Sequence, residues 1–268
     1  MITSANNQQL KQVSALLKKA KERREKKAFV VEGPRMVVEA PAESLKAVYV
    51  AESFEKNAEN QALLEELGKK CKTAGAVFET VADAVFKNVS DTQTPQGIMA
   101  VVAMPEYKLE SLLDGEKTHL LILESIQDPG NLGTMLRTGE GAGVTGIIMN
   151  KTTVDLFNPK TIRSTMGSIY RVPFYVTEDL SGTLSQLKEN GVSLYAAHLK
   201  GEHYYTEEDY TLGCAFLIGN EGNGLSDEIA NQADTYIKIP MEGKVESLNA
   251  AISATLLMYE TNRQRRLK

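Results

Sequence analysis

At 268 residues, 42% hydrophobic and 24% charged, the chain has an ordinary globular composition and room for one large domain or two ordinary ones. Cys71 and Cys214 lie too far apart in sequence to read as a disulfide framework, no apolar run approaches a membrane span, and residues 1–12 lack the apolar core of a secretory signal, so a cytoplasmic protein is expected. The net charge of −5 does not advertise a nucleic-acid binder, but residues 11–27 carry eight Lys or Arg against Glu22 and Glu25, and Arg263, Arg265, Arg266 and Lys268 close the chain. Such local patches govern phosphate contacts, although two solvated helix faces would look the same.

Leu10, Val13, Leu16 and Leu17 keep helical spacing and predict a helix over residues 7–26. A strand follows at residues 29–31, then a turn at Gly33 and a helix from Pro34 through Ala40. Strands at 47–50, 77–78 and 98–104 alternate with helices at 60–71 and 81–86. That alternation predicts a small α/β domain over residues 1–105. Residues 106–117 are polar, carry the Asp114–Gly115 turn signal, and are expected to be a linker with room for one helical turn around Leu109 and Leu112.

From residue 118 the pattern resumes. Strands are predicted at 119–123, 147–149, 174–176, 194–197, 214–218 and 236–239. Helices are predicted from Asn131, as cap, to about 139, over 155–166, and over 183–189, where Asn190–Gly191 is a strong stop. Continuous apolar strands separated by helices imply a mostly parallel sheet buried on both faces over residues 118–268.

The last segment, IPMEGKVESLNAAISATLLMYE, reads as strand end, polar turn and helix. Pro240 stops the strand and Ser247 is a suitable N-cap. Leu248, Ile252, Leu256 and Tyr259 recur three or four apart and predict the apolar face. Ala250, Ala251, Ser253 and Ala254 would let that helix approach a neighbour closely. Ser247 and Asn249 gather at its mouth, where backbone N–H groups are free.

Gly141, Gly143 and Gly146 have G-x-G-x-x-G spacing, but a helix precedes them and a strand follows, the reverse of a dinucleotide fingerprint. No His or Cys spacing suggests a metal site, and neither a nucleophile elbow nor a Walker lysine is present. Three segments at the carboxyl ends of predicted strands are left, the place where open α/β sheets bind ligands. They are DPGNLGTMLRT, with Asn131 and Arg137; LIGNEGNGLS, with Leu217, Gly219 and Glu221; and the segment from Ile239 and Met241 to Ser247, Leu248 and Asn249. An amide and a guanidinium six residues apart on one helix can address a hydroxyl and a phosphate. Three glycines in six residues let backbone come close to a ligand. Glu221 could alternatively be a helix-capping acid.

Taken together, in order, these motifs resemble the SpoU (TrmH-like) family of RNA ribose 2′-O-methyltransferases, of the SPOUT class, over residues 119–260. The N-terminal part is similar to a substrate-binding domain resembling ribosomal protein L30e, on FVVEGPRMVVEA and TPQGIMAVV. The resemblance implies a parallel α/β sheet with a C-terminal trefoil knot, preceded by a small L30e-like α/β domain. It implies S-adenosylmethionine as cofactor, held by Leu217, Gly219, Ile239, Met241 and Leu248, with no metal. It implies RNA as substrate, ribosomal (23S) RNA first with transfer RNA as the runner-up, a homodimer, and no membrane association. Asn131, Arg137, Glu221, Ser247 and Asn249 would form the catalytic set. Arg137 is the central residue, and since a guanidinium is a permanent cation in proteins, orienting phosphate and stabilising an alkoxide suit it better than acting as base. Arg163 and the basic helix over residues 11–27 would be outer RNA contacts. A non-catalytic RNA-binding or ribosome-assembly factor on the same scaffold, and an unrelated nucleotide-dependent α/β enzyme, are the alternatives.

Overall fold

A computed structural model describes residues 1–267. The chain divides into two compact units, Met1–Pro105 with Phe157–Tyr170, and Glu106–Leu156 with the chain from Arg171 onward.

The first unit contains α1 (Gln8–Lys18), α2 (Ala20–Lys26), β1 (Ala28–Glu32), α3 (Pro34–Glu39), β2 (Leu45–Ala51), α4 (Glu52–Lys56), α5 (Gln61–Ala74), β3 (Val77–Val81), α6 (Asp83–Val89) and β4 (Ile98–Ala103). Its sheet has the order β1-β4-β2-β3, with β4 antiparallel to both neighbours and β2 parallel to β3. Leu10, Val13 and Leu16 cover one face of it together with Val85 and Phe86. The stretch expected to be a single N-terminal helix is two, because Lys19 is extended (φ −124°). Arg23, 3% exposed, folds back and donates to the carbonyls of Leu16 and Leu17 at 2.6 and 3.2 Å. Those are end-of-helix carbonyls with no partner in α1, so one of the eight basic residues is used for capping rather than for the surface. Val81, expected in a helix, ends β3 instead.

The second unit begins with residues 106–117, which are not a free tether. Leu109 and Leu112 form a 3₁₀ turn and are buried in its core. Leu112 lies against Gly146, where an added Cβ would come 2.3 Å from its side chain. There follow β5 (His119–Leu123), α7 (Pro129–Ala142) and β6 (Gly146–Asn150). Next is α8 (Pro159–Thr165), which lies in the stretch that packs with the first unit. There Phe157 stacks on Phe29 with ring centres 4.8 Å apart, the Tyr170 hydroxyl donates to the Met36 carbonyl, and Arg163 pairs with Asp91 at 3.1 Å. The chain then runs through β7 (Phe174–Thr177), α9 (Leu180–Glu189), β8 (Ser193–Ala197), β9 (His203–Tyr204), β10 (Cys214–Ile218), α10 (Asp227–Ala230), β11 (Thr235–Lys238) and α11 (Ala250–Leu267). The seven strands are all parallel, in the order β7-β6-β5-β10-β8-β11-β9. β5 and β10 are neighbours at the centre, although most of the unit separates them in sequence, so their carboxyl-end loops meet. Gly143 (φ +78°) ends α7 in the left-handed region before β6, as expected of a glycine that stops a helix.

α11 departs from expectation in two ways. It begins at Ala250, and its apolar contacts are not along Leu248, Ile252, Leu256 and Tyr259. Ile252 and Tyr259 are 50% and 46% exposed, whereas Ala251, Ala254, Leu257, Met258 and Thr261 are buried. The small residues bring α11 against α7, with Met258 Sδ over Gly139 and Thr255 Oγ1 bonded to Thr138 Oγ1 at 3.2 Å. At its far end the Arg265 guanidinium donates to the carbonyls of Lys117, Thr118, Tyr210 and Leu212, pinning the helix to the amino ends of β5 and β10.

His119, on β5, is 1% exposed, and its Nε2 has no hydrogen-bond partner among the described residues. Burial, with the nearby Arg265 charge, pushes its pKa down to about 3. The folded state therefore holds neutral histidine while the unfolded chain protonates near 6.5. Stability from this group is complete above pH 6.5 and is lost as pH falls toward 3, at up to about 1.4 kcal/mol per pH unit. Unfolding free energies from urea titrations should fall between pH 6.5 and 4.5 by about 2 kcal/mol less in His119→Asn than in the natural protein. An equal fall in both would remove His119 as the cause.

Candidate active site

The loop after β5 turns at Ser125, which adopts left-handed backbone (φ +57°). A serine there costs about 1 kcal/mol or more and must be held by its neighbours. Asn150 Oδ1 accepts from its N–H at 2.9 Å, and its carbonyl accepts from Asn220 Nδ2 and Gln127 Nε2. The turn directs the N–H groups of Gln127 and Asp128 at the Glu221 carboxylate, at 2.9 and 3.0 Å. Asp128, not Asn131, caps α7: its Oδ1 accepts from Asn131 N at 2.8 Å, with Pro129 in the first turn. That leaves the Asn131 amide for a different purpose.

Asn131 Nδ2 donates to Glu221 Oε1 at 3.0 Å, and Asn131 Oδ1 accepts from Asn249 Nδ2 at 3.0 Å. Asn249 Oδ1 in turn accepts from the N–H groups of Ala251 and Ile252. A carboxylate accepts only, so it orients the Asn131 amide, and the Asn131 oxygen together with the helix N–H groups orients Asn249. Three segments distant in sequence are thus joined by one chain of side-chain bonds. Burial pushes the Glu221 carboxyl up, but bonds from Asn131, Gln127, Asp128 and its own N–H outweigh this and hold it below the usual range. It is an ionised anchor and neither a proton donor at neutral pH nor a helix cap.

The cap of α11 is therefore Asn249 and not Ser247. Ser247 lies three residues before the first residue of the helix, exposed, with its hydroxyl unbonded among the described residues. Asn249→Ala should cost about 1 kcal/mol of stability, read in a urea titration, and release Asn131, whereas Ser247→Ala should leave the midpoint unchanged. Equal midpoints for both would contradict this assignment. Arg137 lies six residues, less than two turns, further along α7, about 9 Å beyond Asn131 along the axis. It is exposed and, among the described residues, makes no hydrogen bond or ion pair.

Beside this chain lies a cavity of about 570 Å³, bounded by the carboxyl ends of β8, β10 and β11 and by the start of α11. Gly219, Glu221, Ile239, Met241, Ser247 and Leu248 line it. Leu217 does not: it is wholly buried in the core of β10, and the lining begins with Ile218. Residues 219–224 form a tight double-back, with Asn220 and Gly224 bonded to each other through both backbone pairs. Further lining residues that sequence reasoning missed are His198, Leu199, Tyr204 and Lys238. The carboxyl end of β8 pointed to the first two, whereas the two-residue β9 carried no legible signal. Gln127, adjacent to the recognised Asp128, was also missed. Among the described residues no cluster of three or more His, Cys, Asp or Glu could hold a metal ion, and no helix is long and apolar enough to cross a membrane.

The geometry agrees with the relationships of the chain. The profile of the SpoU rRNA Methylase family matches residues 118–259, and that of the MRM3-like substrate binding domain matches residues 7–100. The 23S rRNA (guanosine(2553)-2′-O)-methyltransferase RlmP of Bacillus subtilis is 34% identical over 96% of this chain and 97% of its own length. The AdoMet-bound rRNA methyltransferase from Sinorhizobium meliloti superposes with a TM-score of 0.87 at 30% identity, over 98% of this chain and 97% of that one. The SpoU methyltransferase AviRb from Streptomyces viridochromogenes superposes with a TM-score of 0.85 at 25% identity, over 97% and 98% of the two chains. Matched by profile over residues 118–259 and by relatives along nearly its full length, the chain belongs to the SpoU rRNA methylase family.

Proposed function

We propose that the protein transfers a methyl group from S-adenosylmethionine to a ribose 2′-hydroxyl of 23S ribosomal RNA. The observation that carries this reading is the Glu221–Asn131–Asn249 chain, set beside a cavity of cofactor size with an unpaired arginine on the same helix as Asn131. The volume falls within the range of small-molecule sites, and the lining is mainly apolar side chains and glycine backbone, which suits an adenosine. Gly219, Ile239, Met241 and Leu248 would hold it. Bound there, S-adenosylmethionine supplies a methyl already activated on a sulfonium, so the protein needs to position a nucleophile and manage one proton.

Arg137 is assigned the ribose–phosphate. Its fork of donors fits two phosphate oxygens, and its charge stabilises the alkoxide as the hydroxyl proton departs. Glu221, already accepting from three neighbours, holds the site together rather than taking the proton. Asn131 and Asn249 fix the start of α7 and of α11 against each other. The Ser247 hydroxyl, unbonded and on the cavity wall, is assigned a contact with the ribose. The first unit, with its basic α1 and α2, would grip RNA outside the catalytic site. The stripe of exposed Ile252 and Tyr259 with half-buried Leu256 on α11 is suited to a second copy of the chain, giving a homodimer. We assign the expected trefoil knot to the passage of the last segment, from β11 through residues 239–249 into α11.

The test is methyl transfer from labelled S-adenosylmethionine to total RNA of a strain lacking this gene, followed by digestion to nucleosides. Label in a 2′-O-methyl nucleoside of 23S RNA is the expected result. Label in transfer RNA would overturn the substrate, and no label alongside measurable cofactor binding would favour a non-catalytic RNA-binding role.

A further inference from the structure

The cavity carries charge that the function so far does not use. Three carboxylates line it: Glu221, Glu242 and Glu246. Glu221 is occupied by its three neighbours, whereas Glu242 and Glu246 make no hydrogen bond or ion pair among the described residues. One ammonium lines it, that of Lys238. Lys238 ends β11, next to Ile239, and its Nζ lies 4.9 Å from the centre of the Tyr204 ring, another lining residue. It has no carboxylate partner among the described residues. A half-buried lysine whose ammonium lies over an aromatic face, without a carboxylate partner among the described residues, is available to an anion.

S-adenosylmethionine carries a sulfonium, an α-ammonium and one α-carboxylate. An acidic lining favours its net positive charge. A lysine in that lining works against binding unless it meets the ligand's single anion. We propose that Lys238 selects the α-carboxylate of the methionyl end of the cofactor, with Glu242 and Glu246 on the side of its ammonium. This inference rests on the cofactor assignment made above. It makes Lys238 a specificity residue: the adenosine is held by backbone and apolar side chains, and the amino-acid end is read by charge.

The test compares S-adenosylmethionine with its decarboxylated analogue by titration calorimetry, on the full chain and on Lys238→Met. The natural protein is expected to bind S-adenosylmethionine at least tenfold more tightly than the analogue. Lys238→Met should lose about tenfold on S-adenosylmethionine. It should bind the analogue as tightly as the natural protein or more tightly, since the analogue is a dication and the variant no longer repels it. Lys238→Arg should keep most of the preference for the carboxylate. Equal weakening of both ligands would overturn the inference and leave Lys238 as a packing partner of Tyr204. No change in either would also overturn it. Failure of the natural protein to bind either ligand would instead sink the cofactor assignment, so the two failures are distinguishable.

Discussion

Gly219→Ala is expected to abolish S-adenosylmethionine binding, by a hundredfold or more, while the fold survives. An added Cβ would lie 2.1 Å from both the carbonyl carbon of Gly224 and the backbone nitrogen of Leu225. Both are backbone atoms of the same double-back, so no side chain can rotate away to make room. The turn has to open, and overpacking of this kind costs about 1–3 kcal/mol. Opening it breaks the paired bonds between Asn220 and Gly224 and withdraws Asn220 Nδ2 from the Ser125 carbonyl. Glu221, the next residue, would leave Gln127, Asp128 and Asn131, so the cavity wall and the polar chain fail together. Gly222→Ala is the control. Its added Cβ would meet only Asn220 Oδ1 at 3.5 Å, an ordinary contact, and its backbone is not in the left-handed region. Calorimetric titration should show binding near that of the natural protein for Gly222→Ala and none for Gly219→Ala, with far-ultraviolet circular dichroism unchanged in both. Retained affinity in Gly219→Ala would mean that the loop is not held as the structure has it.

The parallel sheet of the second unit was legible because β5, β6 and β10 are short apolar runs that alternate with helices, the pattern of a sheet covered on both faces. The three loops of the site were legible because each follows one of the sheet's strands. Which side chain does what inside them was less so. Asn131 and Ser247 are both good capping residues, yet Asp128 and Asn249 take the caps. Propensity ranks these side chains nearly equally, and the choice falls to long-range partners: Asn131 is drawn away by Glu221, 90 residues later. α11 bears two plausible contact stripes, and the larger apolar side chains advertised the wrong one. The close approach to α7 at Gly139 selects Ala251 and Ala254 instead. The break at Lys19 had no local signal, since lysine is a good helix former. It follows from Arg23 reaching back to the end of α1. Leu217 was placed at the cofactor on resemblance, but strand alternation sends it into the core beneath the cavity.

Arg137→Ala should reduce methyl transfer by at least about a hundred- to a thousandfold, the loss typical when a donor that stabilises developing negative charge is removed. The structure predicts that this loss comes with little else. Arg137 is exposed and makes no hydrogen bond or ion pair among the described residues, so the unfolding free energy should change by no more than about 0.5 kcal/mol. It is not part of the cavity lining, so the S-adenosylmethionine affinity should stay within about twofold. The same exposure explains why the residue is free: its neighbours on α7, Leu136 and Thr138, are occupied by the core and by Thr255, and the guanidinium has no role in holding the fold. Arg137→Lys separates two contributions. If the positive charge alone stabilises the alkoxide, lysine should restore most of the rate. If the two-pronged hold on a phosphate fixes the ribose in line, lysine should restore little, because an ammonium is a point charge without the planar fork. We expect the second outcome, since in-line displacement is more sensitive to the angle of approach than to one unit of charge. Undiminished transfer by Arg137→Ala would remove Arg137 from the reaction and place the burden on the Ser247 and Asn249 side, where the corresponding variants would then have to carry the loss.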